Sequence, residues 1–313
     1  MDIAQLRTFV HVAELGSLSK AAGRLRIAQP ALSRQVRLLE EELGLRLFDR
    51  HGRGMVITEP GRDVLLHAQR VLAELDELKA SAAGPDSALR GHVAVGVPPT
   101  VAHVVSVPLV AAFRKDHPGL KVQLVSGYTG YLLDWLHRGE IDVAVLYDPR
   151  ATRALRSEPL MQESLFLIGA PEAGLSSERP VRFADAAREP LLLPSARHGL
   201  RSILDRFAQE AGCVLDVPVE TDSYTALKDL VRQGYGRTIL SLAAIHDDVA
   251  AGRLTAAPIV DPAPTRRLVL SYPSDRPVSR AARLAGTLLT DILADHVRRG
   301  VWVGEMLTGA RPK

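Results

Sequence analysis

Apolar residues recur at three- and four-residue spacing through the first forty-odd residues, and no other stretch constrains the fold of this chain so tightly. Leu6, Phe9, Val10 and Ala13 give residues 3 to 14 one buried helical face. Gly16 and Ser17 stop that helix and can cap a second, whose inward residues are Leu18, Ala21, Ala22 and Leu25. The small Ala21 and Ala22 permit close approach of a crossing helix. After Arg26-Ile27-Ala28 comes Gln29-Pro30, and proline suits the first helical position, where its missing donor is not needed. A third helix then keeps Leu32, Val36, Leu39 and Leu43 on one stripe. Pro30, Arg34, Arg37 and Glu41 point away from it, and Gln29 and Ser33 flank it near the helix start.

Charge follows the same geometry. The chain carries 39 basic and 36 acidic residues, a net charge of only +3, yet Lys20, Arg24, Arg26, Arg34 and Arg37 share a window without an acid. A basic cluster alone is most often solvated surface. Three short helices with a tight turn between the second and third, and a cationic, hydrogen-bonding face on the third, make a helix-turn-helix. The N-terminal end of such a helix fits the major groove of DNA, where its free N–H groups also favour phosphate. A small wing follows: Leu47-Phe48-Asp49-Arg50 and Met55-Val56-Ile57 are expected as strands around His51-Gly52-Arg53-Gly54. Arg50 and Arg53 then lie beside the DNA backbone or in the minor groove, while Phe48 is expected in the core.

These residues carry a specific resemblance. Phe9-x-x-Val12-Ala13-Glu14-x-Gly16-Ser17-x-Ser19-x-Ala21-Ala22-x-x-Leu25, Gln29-Pro30-Ala31-Leu32-Ser33-x-Gln35-Val36-x-x-Leu39-Glu40-x-x-Leu43-Gly44-x-x-Leu47-Phe48-x-Arg50 and Thr58-x-x-Gly61 resemble the LysR-type transcriptional regulators. The resemblance implies that Gln29, Pro30, Ser33 and Arg34 sit at the DNA-facing end of the recognition helix, with Arg50 and Arg53 in its wing.

Thr58 can cap a further helix, with Glu59 in its first turn. Val64/Leu65, Ala68, Val71/Leu72, Leu75, Leu78 and Ala82 give that helix a long apolar stripe. Nothing nearby in sequence needs so long a face, so a partner helix is its expected cover, and Val64, Ala68, Val71, Leu72, Leu75 and Leu78 are the expected dimerisation residues. The resemblance implies that this helix pairs two subunits, and a two-fold dimer expects a pseudo-palindromic promoter site. Pairing of dimers into a tetramer is the family's habit, and such a regulator leaves room for contact with the transcription machinery. Ala82-Ala83-Gly84-Pro85-Asp86 is the expected linker.

From Gly91 the pattern changes. Val93, Val95 and Val97 alternate as a strand, and Pro98-Pro99-Thr100 opens a helix to about Lys115. A strand at Leu120 and Gln123–Val125, a helix with Leu132, Leu133 and Leu136, and the apolar run Ile141–Tyr147 complete a doubly wound α/β unit. A second unit is expected from strands at Leu165–Ile168, Leu191–Leu193, Val214–Val219 and Thr238–Leu240, with helices Arg201–Ala211 and Ala226–Arg232. Strand Arg267–Tyr272 and helix Arg280–His296 return to the first. The expected division is a winged helix-turn-helix over 1–59, a dimerisation helix and hinge over 60–90, effector subdomain I over 91–161 with 266–297, subdomain II over 162–265, and a C-terminal tail over 298–313.

Ligands in such sheets bind outside the carboxyl ends of strands, and two passages near Met161-Gln162 and Thr265-Arg266 would join the subdomains around a cleft. Thr100, Ser126 and Thr129 stand at strand ends and helix starts, where hydroxyls and free N–H groups can hold an anion. Tyr128 could wall the ligand. Ser195, His198, Thr221 and Tyr224 come from the second unit. Each hydroxyl is otherwise an ordinary helix cap. Gly91-x-Val93-x-Val95-Gly96, Phe113-x-x-x-x-Pro118-x-x-x-Val122 and Gly139-x-Ile141-Asp142-Val143-Ala144 are similar to the LysR-type effector domain, whose fold resembles periplasmic solute-binding proteins. Gly127-Tyr128-Thr129-Gly130-x-Leu132 and Gly139-Glu140-x-Asp142 resemble the nitrogen- and sulfur-assimilation regulators within it. Pro98-Pro99 departs from the common pattern and stiffens the mouth of the cleft.

Other chemistry finds no support. No phosphate-cradling glycine motif is present, the ten histidines show no metal-ligand spacing, and Ser195 with His198 lacks a nucleophile elbow. No cofactor, no metal and no enzymatic activity are expected. The single Cys213 cannot form an intramolecular disulfide and fits a reducing compartment. Met1 to Arg7 does not read as a secretory signal, and no apolar run is long enough to span a membrane, so a cytoplasmic protein is expected. The expected function is a DNA-binding regulator modulated by a small anionic metabolite. The alternatives are a ligand-independent regulator with a vestigial pocket and, further off, a solute-binding protein or enzyme on the same fold.

Overall fold

The computed structural model describes residues 1–51, 54–82, 89–149 and 154–307. Contacts divide the chain into two compact units, Met1–His92 and Val93–Lys313, each described by itself.

The first unit opens with α1 (Ile3–Leu15), α2 (Leu18–Leu25) and α3 (Gln29–Leu43). Asp2 and Gln5 cap α1 reciprocally: each backbone N–H donates to the other's side chain at 2.8 Å. Ser17 caps α2, as its sequence position predicts. Pro30 stands one residue further in than expected, because α3 begins at Gln29. Leu32, Val36 and Leu39 are buried as the stripe requires. Phe48 is core: it meets Phe9 edge-on, with ring centroids 5.4 Å apart. The wing strands are β1 (Phe48–His51) and β2 (Gly54–Ile57), paired antiparallel. Glu40 joins α3 to the wing: its carboxylate accepts the Leu47 and Phe48 N–H groups at 2.8 and 3.2 Å. At Gly54 a Cβ would come within 2.5 Å of the Gly16 carbonyl oxygen, so only glycine lets the wing root lie against the turn before α2.

Thr58 starts α4 (Glu59–Ala82) by accepting the Gly61 N–H at 3.0 Å. Here the structure corrects the expected dimer stripe. Ala68 is only 2% exposed, and Val64 and Leu72 pack with it on the core of α1–α3. Their i, i+4 spacing keeps them over the domain that α4 leaves, so Ala68 belongs to its interior and the half-buried Val64 and Leu72 pack against it. Val71 and Leu78, on the other face, are 50% and 66% exposed, with Leu75 half-buried. Arg53 and the Gly84-Pro85 linker lie outside the described residues.

The second unit comprises β3 (Gly91–Val97), α5 (Pro99–Asp116), β4 (Leu120–Ser126), α6 (Thr129–Arg138), β5 (Val143–Tyr147), β6 (Leu155–Gly169), β7 (Val181–Arg182), α7 (Phe183–Ala186), β8 (Leu192–Leu193), α8 (Gly199–Glu210), β9 (Val219–Glu220), α9 (Tyr224–Arg232), β10 (Thr238–Ser241), α10 (His246–Ala250), β11 (Thr255–Val260), β12 (Thr265–Pro273), α11 (Arg280–Arg298) and β13 (Gly304–Met306). Among the described residues one mixed sheet runs β4-β3-β5-β12-β6-β11-β7, with β10 and β13 also on β6. β3 and β5 are parallel, while β12 runs antiparallel to both β5 and β6. Two α/β subdomains result, and the expected passage at Met161-Gln162 falls inside the unbroken β6. Its first part pairs with β12 and its last part with β10 and β11.

Two expectations fail. Val214–Val219 is not a strand: only Val219–Glu220 pairs, and Val214 is 87% exposed. Asp216 alone spends both backbone groups, on Ala187 and Leu191, and Pro218 has no N–H to continue a ladder. Within the expected tail at 298–313, the described residues pack on the second unit. Trp302 is buried, and β13 pairs with β6 at Gly304↔Glu163 and Met306↔Met161.

Candidate functional site

The outer face of α3 is the first candidate. Gln29, Pro30, Arg34 and Arg37 are exposed and Ser33 is half-buried. Gln29 accepts from the Ser19 hydroxyl at 3.0 Å, so the start of α3 is braced by α2. Arg37 is tied to Glu41 one turn on, at 3.3 Å, whereas Arg34 forms no ion pair with a described residue. The backbone of Arg50 lies in β1, paired opposite Met55.

The second candidate is a cleft of about 110 Å³ between the two subdomains of the second unit. Of the residues expected there, Thr100, Tyr128, Thr129, His198, Thr221 and Tyr224 line it. Ser126 and Ser195 do not. Ser126 ends β4 exposed to solvent, and Ser195 spends its N–H and hydroxyl on the Asp222 carboxylate, both at 2.9 Å. Pro98 and Pro99 form part of the wall, and α5 starts at Pro99. α5, α6, α8 and α9 all begin at the cleft, and their first turns leave backbone N–H groups without helical acceptors.

The floor holds what the sequence reading missed. The Thr100 and Tyr147 hydroxyls share a hydrogen bond of 2.9 Å, and the Tyr147 ring carries the Arg266 guanidinium flat upon it, 3.4 Å from the centroid. Arg266 is only 3% exposed and Glu163 is fully buried. Arg266 Nε donates to Glu163 Oε1 at 2.5 Å, and Trp302 Nε1 donates to Glu163 Oε2 at 2.7 Å. A signal for both existed: Arg266 shares strand parity with the buried Leu268 and Leu270, and Glu163 with Met161, Leu165 and Leu167.

Burial sets the protonation of the lining. It lowers the His198 pKa to about 4, with the Arg266 guanidinium acting in the same direction and Asp222 against it. His198 is therefore neutral near pH 7, and since its Nδ1 accepts the Leu200 N–H at 3.1 Å, the hydrogen sits on Nε2. Its ring meets Tyr128 edge-on at 4.6 Å, bridging α8 to α6 across the cleft. Burial likewise holds the Tyr147 and Tyr224 phenols well above their usual range, so both stay protonated, Tyr224 donating to the Ala244 carbonyl and Tyr147 paired with Thr100. Arg197 and Arg266 are the cationic residues of the described lining, and Asp222 is its one carboxylate.

Comparison with known proteins covers both units. Residues 3–62 match the family model described as "Bacterial regulatory helix-turn-helix protein, lysR family", and residues 86–294 match "LysR substrate binding domain". The HTH-type transcriptional regulator BbuR of Bordetella bronchiseptica is 31% identical over 304 residues, covering 97% of this chain and 94% of that protein. The nitrogen assimilation regulatory protein nac of Klebsiella aerogenes is 30% identical over 94% of this chain and 96% of its own length. Among solved structures, a cysteine mutant of Corynebacterium glutamicum OxyR aligns with a TM-score of 0.70 at 27% identity, covering 95% of this chain and 94% of that one. Among the described residues no helix is long and apolar enough to cross a membrane.

Proposed function

The chain belongs to the LysR family of bacterial transcriptional regulators, and from that footing we propose that it binds a pseudo-palindromic promoter site as a dimer and answers to a small anionic metabolite in its cleft. The observation that carries the ligand half is the cleft itself. Four helix N-termini and the Arg266 guanidinium converge on one small cavity between two subdomains, a setting that favours negative charge. A thiol–disulfide switch within one chain has no second thiol, since Cys213 is the only cysteine.

The DNA half rests on α3. Gln29, Pro30, Ser33 and Arg34 form its outer N-terminal end, the end that enters a major groove in helix-turn-helix proteins. Arg34 is the base-reading candidate, because Arg37 already has Glu41 as a partner. Arg34→Ala should cost about 1–3 kcal/mol on the cognate site and relax preference at one base position. Fluorescence anisotropy at fixed salt decides it: equal weakening on cognate and random duplexes makes Arg34 a phosphate contact, and unchanged affinity removes it from the interface.

Dimerisation is drawn through the exposed Val71 and Leu78 with Leu75, beyond the part of α4 that packs on its own domain. Pairing of dimers into a tetramer follows the family's habit.

A further inference from the structure

The first turns of α6 and α8 meet across the cleft through their own cap residues, Tyr128 and His198. We propose that this pair is a pH-sensitive clasp: neutral His198 holds the two subdomains together, and its protonation releases them. The clasp goes beyond the ligand-gated reading and does not depend on it, because it needs no ligand.

Three features of the geometry require an uncharged ring. His198 Nδ1 accepts the Leu200 N–H at 3.1 Å, so the imidazole is the side-chain cap of α8. A proton on Nδ1 would set donor against donor and undo that cap. The ring also lies at the starts of two helices, whose partial positive charge disfavours a cation. Finally it is half-buried and edge-on to Tyr128, with ring centroids 4.6 Å apart, so a charge there loses solvent.

The surrounding groups act in the same sense. Arg266 acts on the ring from β12, with Glu163 of β6 as its counter-ion, and Arg197 precedes His198 on the same turn. Asp222 is the opposing charge, and its carboxylate is already engaged by the Ser195 N–H and hydroxyl. Burial raises the Tyr128, Tyr147 and Tyr224 phenols, so they bring no charge near neutral pH. Burial first and Arg266 second lower the His198 pKa to about 4, from an ordinary 6.5. Opening the clasp lets it return toward that ordinary value. Closure is therefore fully favoured above pH 6.5 and is lost as the pH falls toward 4. By linkage, the ratio of open to closed should rise on the order of tenfold between about pH 8 and pH 5.

A second histidine–tyrosine pair, His103 of α5 with Tyr224 at the start of α9, also spans the cleft, with centroids 6.1 Å apart. It is the longer contact, and the Tyr224 hydroxyl is committed to the Ala244 carbonyl. The close contact between helix starts is Tyr128 with His198.

Hydrogen exchange on the full-length protein, without added ligand, tests the clasp. Amide exchange of residues 127–133 and 195–204 is followed from pH 8 to pH 5 and corrected for its intrinsic pH dependence. Exchange at imidazole C2 titrates each histidine separately. Both segments are expected to accelerate at least tenfold in the wild type and in His103→Gln. In His198→Asn, whose amide oxygen caps α8 at any pH, both should stay flat. Tyr128→Leu should move the His198 pKa from about 4 toward 6.5. Should His198→Asn not fold, the wild-type titration and Tyr128→Leu still decide. Acceleration confined to 195–204 would make His198 a helix cap alone and overturn the clasp. So would flat exchange in the wild type, equal acceleration in His198→Asn, none in His103→Gln, a His198 pKa unmoved in Tyr128→Leu, or slower exchange at low pH.

Discussion

Val71→Asp combined with Leu78→Asp should leave each chain folded and abolish stable dimers. Both residues are exposed on α4, so aspartate is harmless to the monomer. In a helix-to-helix seam the same two carboxylates would be buried without partners, at a cost of several kcal/mol each. Sedimentation should show a monomer at micromolar concentration. Affinity for a duplex with two half-sites should fall by at least a hundredfold, while affinity for one half-site changes little, because α3 is untouched. Ala68→Asp is the control that separates the two faces of α4: buried on its own domain, it should unfold the DNA-reading unit itself. An unchanged dimer in the double variant would place the subunit contact elsewhere.

Glu163→Ala should be the most destabilising single change in the second unit. It leaves the Arg266 charge 3% exposed and without its counter-ion, and it strips Trp302 Nε1 of its acceptor. Breaking a buried pair by removing one partner costs about 3–5 kcal/mol. At about 2–4 °C per kcal/mol for a unit of this size, that is a drop of roughly 6–20 °C in unfolding temperature. Removing both charges, as Glu163→Leu with Arg266→Met, should restore much of the loss, since a buried pair gains little over apolar residues of similar volume. A melting curve of the second unit unaltered by Glu163→Ala would mean that the guanidinium is stabilised by its stack on Tyr147 alone.

The contrast between these two sites shows what a sequence can disclose. The winged domain was legible because its signals are local: a stripe at helical spacing, caps at Ser17 and Thr58, and a basic window without an acid. Even there the cover of α4 was not, because Val64, Ala68 and Leu72 satisfy the same periodicity as a dimer seam. Only the fold shows that α1–α3 occupy that face. The cleft rim was legible wherever strand ends meet helix starts, as at Thr100, Thr129 and His198. Ser126 and Ser195 obey the same rule and miss the cavity, one by pointing to solvent and one by capping Asp222. The floor was not legible as a site. Glu163, Arg266 and Trp302 are separated by more than a hundred residues along part of the chain and meet only because β12 and β13 flank β6. Glu163 and Arg266 fall just outside the strands expected from sequence, Leu165–Ile168 and Arg267–Tyr272, and pairing them needs the sheet order.

The account as a whole stands on coupling between the cleft and DNA. A ligand shifts the balance between two arrangements only by its differential affinity for them, and the effect is reciprocal. The measurement is DNA affinity by anisotropy, at fixed salt, with and without a saturating small anion that thermal-shift screening finds to bind the cleft, alongside that anion's affinity by calorimetry with and without cognate duplex. Coupling of about 1–3 kcal/mol, a change of roughly 5- to 150-fold, should appear equally in both. Occupancy of the cleft that changes neither affinity would contradict it, leaving a DNA-binding regulator whose pocket does not govern its output.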